Sequence, residues 1–583
     1  MKLRSGKPTA PIPAWGIFPP NVPSLLRDLP ILLAALALFY ALLSMTHYWM
    51  TPANAATAIS LRPGALPRYA MFSVLRIAIA YAFSLVFSVV YGYVAAYNRK
   101  AEQIMIPLLD TLQSIPVLSF LPGVMLSMVA LFPTRQLGTE LGSILLIFTG
   151  QVWNLAFSFY SSLKSIPQEM QEVAQVYRWS WWQRFVQMEL PYAAIGLVWN
   201  SMMSVAGGWF FLIACEMFVL GNRDLRLPGL GSYLQTAANA GNTRATTWGL
   251  VVMIGVIVLM DQLIWRPVIA WAQKFKFEQV EASDVPRSPV LNLLKRSRIL
   301  PAIAAVSVRP VREYLNLYFA RKRVSDREDH RSGGRRKWTA RVIFSAVLVS
   351  VAYAFAKMSI ELFALSRPEL RGIFWGAGAT FLRVELTLVL AGLWTIPVGV
   401  MIGLNPKLSV IAQPIAQIAA SVPATALFPI ILLLLIRIGG GLGIGSIVLL
   451  LLGTQWYLLF NVIAGAIAIP TDLKEVCGVF RFKSRERWRK LLLPAIFPYL
   501  ITGFITASGG AWNASIVAEY FRFQGRTFST TGLGAVISSA TDTGNFPVLL
   551  GATILMAAMV VAMNRLVWRR LYRLASTKFR LES

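Results

Sequence analysis

The chain reads as an all-α membrane protein in which twelve transmembrane helices form two parallel six-helix repeats. Three observations carry that reading: an apolar composition, an internal duplication, and the placement of lysine and arginine. Of 583 residues, 56% are hydrophobic and only 14% are charged, with mean hydropathy +0.59. One soluble core cannot enclose so much apolar surface. From Gly150 onward the first half matches the second at an offset of 303, pairing Trp153 with Trp456, Arg178 with Arg481, Arg184 with Arg487 and Trp265 with Trp568. Upstream the offset is 307, pairing Arg76 with Arg383, Gly92 with Gly399, Asn98 with Asn405 and Pro116 with Pro423.

A spanning helix needs about 20 apolar residues. Such runs fall at 30–49, 72–97, 104–132, 141–164, 192–220 and 247–272, with counterparts at 342–365, 378–404, 408–437, 441–468, 495–521 and 546–571. Pro116 and Pro423 lie inside the third run of each half and are expected to kink or break it, because proline removes a backbone donor. The organisation is therefore a first half over 1–272, a linker over 273–341 and a second half over 342–583. The linker carries 17 Lys plus Arg against 7 Asp plus Glu and has no run long enough to cross. Its segment Val290–Val306 mixes apolar and basic residues, which suits either an interfacial helix on an anionic leaflet or a plain tether.

Orientation follows from the short loops. Lys2, Arg4, Lys7 and Arg27 precede the first run, Arg99 and Lys100 follow the second, and Lys164, Arg178 and Arg184 follow the fourth. All fall on the cytoplasmic side if the N-terminus is cytoplasmic, and even parity then makes the repeats parallel, with both termini inside. Arg223, Arg226 and Arg244 go against this rule without reversing it. The net charge of +29 belongs to these loops, and no basic-aromatic module points to nucleic acid. The Pro-rich N-terminal segment is too long for a cleaved signal, so the first run reads as a retained span. Two histidines and two cysteines, Cys215 and Cys477, neither repeated in the other copy, give no metal or disulfide framework.

The sharpest repeated element is a polar stretch, 165–191 in the first copy and 468–494 in the second. Proline in a first helical turn, acidic and polar residues, and a closing Leu-Pro predict a short surface helix ahead of the next span. Val173, Val176 and Tyr177, matched by Val476, Val479 and Phe480, recur at i, i+3 and i+4 and share one face. An apolar face on a cytoplasmic loop calls for a partner protein.

This stretch resembles the cytoplasmic loop of the permease subunits of bacterial binding-protein-dependent ABC importers, which carries E-A-A, a following Gly and a distal L-P. Glu172-Val173-Ala174 with Leu190-Pro191, and Glu475-Val476-Cys477 with Leu493-Pro494, fill the pattern. Both copies place Arg (Arg178, Arg481) where the family carries Gly, at the turn after the helix. Leu109–Pro122, Ile415–Pro429 and the Gly-Leu-Gly turns at Gly229 and Gly532 look most like the nitrate, sulfonate and taurine subgroup. The resemblance implies a type I importer permease fold in the bacterial inner membrane. It also implies two cytoplasmic ATPases docked on the coupling residues, which include Tyr177 and Phe480, and an external solute-binding protein that delivers a small anion. No GxxxxGK[ST] loop occurs, so ATP and Mg belong to partner subunits, and this chain is expected to hold no cofactor and to be no enzyme.

Candidate pathway residues are the charged and aromatic pairs that the duplication places symmetrically. Glu216 and Glu519 either hold the halves in register, gate an outer vestibule, or lie solvated at the external interface. Arg76 and Arg383 either attract an anion or snorkel from a helix end. Trp209 and Trp512, behind Gly207 and Gly510, shape the pore or pack helices. The alternative function is an ion-gradient-driven secondary transporter of parallel six-helix repeats, which would carry an ionisable relay near mid-membrane.

Overall fold

The computed structural model describes residues 24–52, 58–220, 223–275, 289–297, 356–437, 441–469, 480–523 and 526–578, with isolated positions within 301–318, 342–353 and 473–479. Among the described residues nine helices are long and apolar enough to cross a membrane. Five are in the first half, Asp28–Trp49, Pro63–Tyr97, Leu137–Lys164, Trp181–Glu216 and Thr243–Ala272. Four are in the second, Arg367–Leu404, Leu442–Ile467, Ser484–Ala518 and Phe546–Ala575. A tenth span results if the bent pair Arg99–Gln113 and Val117–Leu131 crosses as one. The expected run 342–365 is described in part: positions 343–344, 346–348, 350–351 and 354–355 lie outside the described residues.

The third run of each half is broken. In the first, two helices meet at 85° across Pro116, and in the second, Pro406–Ser421 ends before Pro423 and Ala424–Arg437 follows it. Asn98 and Asn405 cap the helices that lead into these breaks. Asn98 Oδ1 accepts from the amides of Lys100 and Ala101 at 3.1 and 3.2 Å, and Asn405 Oδ1 from those of Lys407 and Leu408 at 3.1 and 3.3 Å. A duplicated Asn is thereby explained as an N-cap.

Two sequence expectations are corrected. Leu190-Pro191 and Leu493-Pro494 do not begin the fifth spans, because helix starts earlier, at Trp181 and Ser484. A π turn then intervenes, Phe185–Glu189 in one half and Trp488–Leu492 in the other. Proline has no N–H to bond the carbonyl four residues back, and the widened turn just before it absorbs that loss. The fifth runs also end short of 220 and 521. The helices stop at Glu216 and Ala518, and the chain turns through antiparallel hairpins, Val219–Leu220 with Arg223–Asp224 and Tyr520–Phe523 with Arg526–Ser529. Short helices follow at Leu230–Asn239 and Leu533–Thr543.

Two compact units interleave along the chain. One comprises Met1–Leu43, Ser161–Met202 and Leu259–Ser332, the other Ser44–Tyr160, Met203–Val258 and Gly333–Ser583. In the first unit the linker helix Pro289–Arg296 packs on Arg266–Ala272, and Trp182 Nε1 donates to Asn316 Oδ1 at 2.8 Å. The linker is therefore anchored to the first polar stretch at this point.

In the second unit Leu442–Ile467 packs against both Arg367–Leu404 and Leu493–Ala518. Small residues let these helices approach: a β-carbon on Gly403 would lie 2.6 Å from that of Ala466. Within this unit the two sequence halves meet at the break after Pro116. The amide of Leu118 donates to Asn513 Oδ1 at 3.5 Å, and Thr553 Oγ1 donates to the Ser119 carbonyl at 3.2 Å.

Candidate functional site

The first polar stretch forms the helix Gln168–Val176, with Pro167 as its N-cap, one position ahead of the expected first turn. Ala174 faces inward, whereas Glu172 is exposed and Val173, Val176 and Tyr177 are 47%, 78% and 72% exposed. The apolar face expected from the spacing is open. The helix closes on Arg178 at φ 50°. Arg178 N–H bonds the Gln175 carbonyl at 3.0 Å and Trp179 N–H that of Ala174 at 2.9 Å. This paired arrangement is the Schellman closure, whose left-handed residue is usually Gly. Arg481 adopts φ 48° at the same place in the second copy, so the tight turn survives the loss of Gly in both halves. There Glu475, Val479 and Phe480 are exposed, while Val476 and Cys477 lie outside the described residues. Leu190, Pro191, Leu493 and Pro494 sit behind the π turns, where Leu190 N–H reaches the Phe185 carbonyl and Leu493 N–H that of Trp488.

A second duplicated constellation gathers Arg76 and Glu216. Arg76 projects from Leu66–Tyr97, Glu140 from the first turn of Leu137–Lys164, and Glu216 from the last position of Leu190–Glu216. Arg76 grips Glu140 through both oxygens, Nε to Oε2 at 2.8 Å and Nη2 to Oε1 at 2.6 Å, and its Nη1 pairs with Glu216. Glu216 also accepts from Ser73 Oγ at 2.7 Å and from the Gly231 amide at 2.7 Å, while Ser73 Oγ accepts from the Leu230 amide at 3.0 Å. The carboxylate thus sits on the N-terminus of Leu230–Asn239, where free amides and the helix dipole favour negative charge. All three ionic side chains are inaccessible to solvent.

The second half repeats this chemistry. Arg383 Nη1 pairs with Glu519, which accepts from Thr380 Oγ1 at 2.8 Å and from the Gly534 amide at 2.8 Å. The Leu533 amide donates to Thr380 Oγ1 at 2.7 Å. The Gly-Leu-Gly turns follow from this seating, since a β-carbon on Gly231 would lie 2.9 Å from Glu216 Oε2, and one on Gly534 would lie 2.5 Å from the Ser515 carbonyl.

Arg76, Glu216 and Glu519 are thus buried in ion pairs, neither snorkelling nor solvated, and the Arg383 side chain is 10% exposed. Trp209 and Trp512 are likewise buried. Sequence reasoning missed Ser73, Thr380 and Glu140. The first two were legible as hydroxyls in register at the offset of 307; Glu140 was not, because the offset of 303 extends upstream through Gly142-Ser143-Ile144, matched by Gly445-Ser446-Ile447, and sets Gly443 opposite it. Among the described residues no cluster of His, Cys, Asp or Glu is arranged to hold a metal ion.

Comparison with known proteins agrees with this architecture. The bicarbonate transport system permease protein CmpB of Synechococcus elongatus is 31% identical over 149 residues, 26% of this chain and 52% of that protein. The nitrate import permease protein NrtB of Leptolyngbya laminosa is 27% identical over 197 residues, 34% of this chain and 67% of that protein. The putative aliphatic sulfonates transport permease protein SsuC of Bacillus subtilis is 27% identical over 158 residues, 27% and 54% respectively. The chain thus spans about half the length of CmpB and SsuC. Residues 88–263 and again 395–580 match one family, described as the binding-protein-dependent transport system inner membrane component. Matched twice and over more than half its length, the chain belongs to that family as a fused duplicate.

Proposed function

We propose that this chain is the permease of an ATP-driven importer and forms the translocation pathway for a small anion such as nitrate, bicarbonate or a sulfonate. The observation that carries the reading is the pair of left-handed closures at Arg178 and Arg481. They close polar stretches in which Val173, Val176 and Tyr177 of the first copy, and Val479 and Phe480 of the second, stand open to solvent, as a docking element requires. Glu172, Val173 and Tyr177, with Glu475, Val476, Cys477 and Phe480, are the contacts for two cytoplasmic ATPase subunits, while Ala174, expected among them, is buried and seats the helix from its inner side. Leu190-Pro191 and Leu493-Pro494 follow the π turns inside the spans that lead away from each docking helix. ATP and Mg reside on those subunits, and a solute-binding protein meets the opposite face. The termini and the linker 273–341 are then cytoplasmic, between halves 1–272 and 342–583.

The Arg–Glu clusters belong to the outer end of the pathway, where they brace the short helices Leu230–Asn239 and Leu533–Thr543, and Trp209 and Trp512 pack the helices beside it. Family membership favours this reading over an ion-gradient-driven transporter. Replacing Glu172 and Glu475 together by Arg is expected to abolish co-purification of the ATPase while the permease remains folded in detergent. Undiminished co-purification would overturn the coupling assignment.

A further inference from the structure

The two charge clusters differ at one position. In the first half the Nε/Nη2 edge of Arg76 is filled by the Glu140 carboxylate. Gly142-Ser143-Ile144 aligns with Gly445-Ser446-Ile447, which places Gly443 opposite Glu140. No carboxylate takes its place among the described residues. The Nη2 of Arg383 donates to the Thr531 carbonyl at 3.1 Å, as Arg76 Nη2 does to the Pro228 carbonyl at 3.4 Å, and where Glu140 would stand it reaches only Thr530 Oγ1, at 3.4 Å. Its Nε makes no hydrogen bond among the described residues.

Space lies beside that edge. Among the described residues a β-carbon on Gly443 would meet only Thr530 Oγ1 within 4 Å, at 3.8 Å, and this is the hydroxyl that Arg383 reaches. Thr530, Thr531, Gly532 and Tyr520 also line a neighbouring cavity of about 410 Å³, whose lining does not include Arg383 or Gly443. The carboxylate on the cavity wall, Glu369, is engaged by the Ser366 amide and hydroxyl and by Asn545 Nδ2. Charge makes the same point. The first cluster sets one guanidinium against two carboxylates, and the second sets one against one.

We propose that the edge of Arg383 facing Gly443 binds a planar monovalent oxyanion, such as nitrate, bicarbonate or a carboxylate, in the place that Glu140 holds in the other half. A guanidinium edge presents two parallel N–H groups that match two oxygens of a planar anion. The Thr530 hydroxyl supplies a third donor. Chloride, a single point of charge, gains no such match. The proposal rests on the anion-import reading for the choice of ligand. Its test needs neither ATPase nor binding protein, so its failure would leave the coupling assignment standing.

The full-length permease, purified in detergent, is titrated with sodium nitrate and with sodium bicarbonate against sodium chloride at equal ionic strength, followed by thermal unfolding and calorimetry. Saturable stabilisation by the oxyanions beyond that by chloride is expected. Gly443→Glu, which supplies the missing carboxylate, is expected to fold and to weaken oxyanion affinity at least tenfold. Where that variant does not fold, Gly443→Gln fills the same space and is read in the same way. Oxyanions indistinguishable from chloride, or wild-type affinity in a folded Gly443 variant, would overturn the proposal.

Discussion

Gly229 is seated against the carboxylate of Glu216 so closely that a β-carbon added to it would overlap the carboxyl group, and Gly532 bears the same relation to Glu519. Each glycine lets a buried acid reach the start of the helix that follows. Gly229→Ala is therefore expected to displace Glu216 from Arg76 and from the Gly231 amide. Breaking a buried pair costs about 3–5 kcal/mol, which thermal unfolding of the purified permease would register as a clear fall in Tm. Gly255→Ala, where an added β-carbon would meet nothing within 4 Å among the described residues, is the control expected to change Tm little.

Arg76 and Arg383 should respond unequally to the same change. Arg76→Gln leaves Glu140 and Glu216 buried together without a cation, whereas Arg383→Gln leaves only Glu519. The loss is expected to be greater for Arg76→Gln, of the order of 3–5 kcal/mol for an uncompensated buried charge. Adding Glu140→Gln to Arg76→Gln should recover part of it, a coupling that a double-mutant cycle on Tm would measure. Equal losses from the two single substitutions would contradict the asymmetry.

The left-handed closures carry a backbone penalty that Gly would remove. A non-glycine residue in this region costs about 1–2 kcal/mol, offset in part because Gly loses more freedom on folding. Arg178→Gly and Arg481→Gly are expected to raise local stability by up to about 1 kcal/mol each. Hydrogen exchange at the Trp179 amide, which closes the first turn, should slow. Arg178→Val should do the opposite.

The bond from Trp182 to Asn316 ties the linker to the first polar stretch. Trp182→Phe keeps the ring and removes the donor, a loss of about 1 kcal/mol for one hydrogen bond. Limited proteolysis of the linker is expected to quicken. No such anchor is expected in the second copy, where residue 485 is Arg.

The all-α class, the duplication and the polar stretches were legible because each rests on local chemistry. Apolar runs longer than a bilayer, repeated residues at a constant offset, and valines spaced by one helical turn all lie in a single line of sequence. The breaks at Pro116 and Pro423 were legible for the same reason, since a missing N–H acts within one turn. The sequence likewise displayed Arg178 and Arg481 as departures from Gly, but whether the turn survived depended on φ, which one residue type does not determine. Only the tertiary structure could decide the state of Arg76, Glu216, Arg383 and Glu519. A charge near a helix end is stable in water, in a headgroup layer or against an opposite charge, and its choice depends on what another helix brings 64 or 140 residues away. Glu140 shows that limit most plainly: it has no twin in the second half, and it became visible only when folding placed it against Arg76.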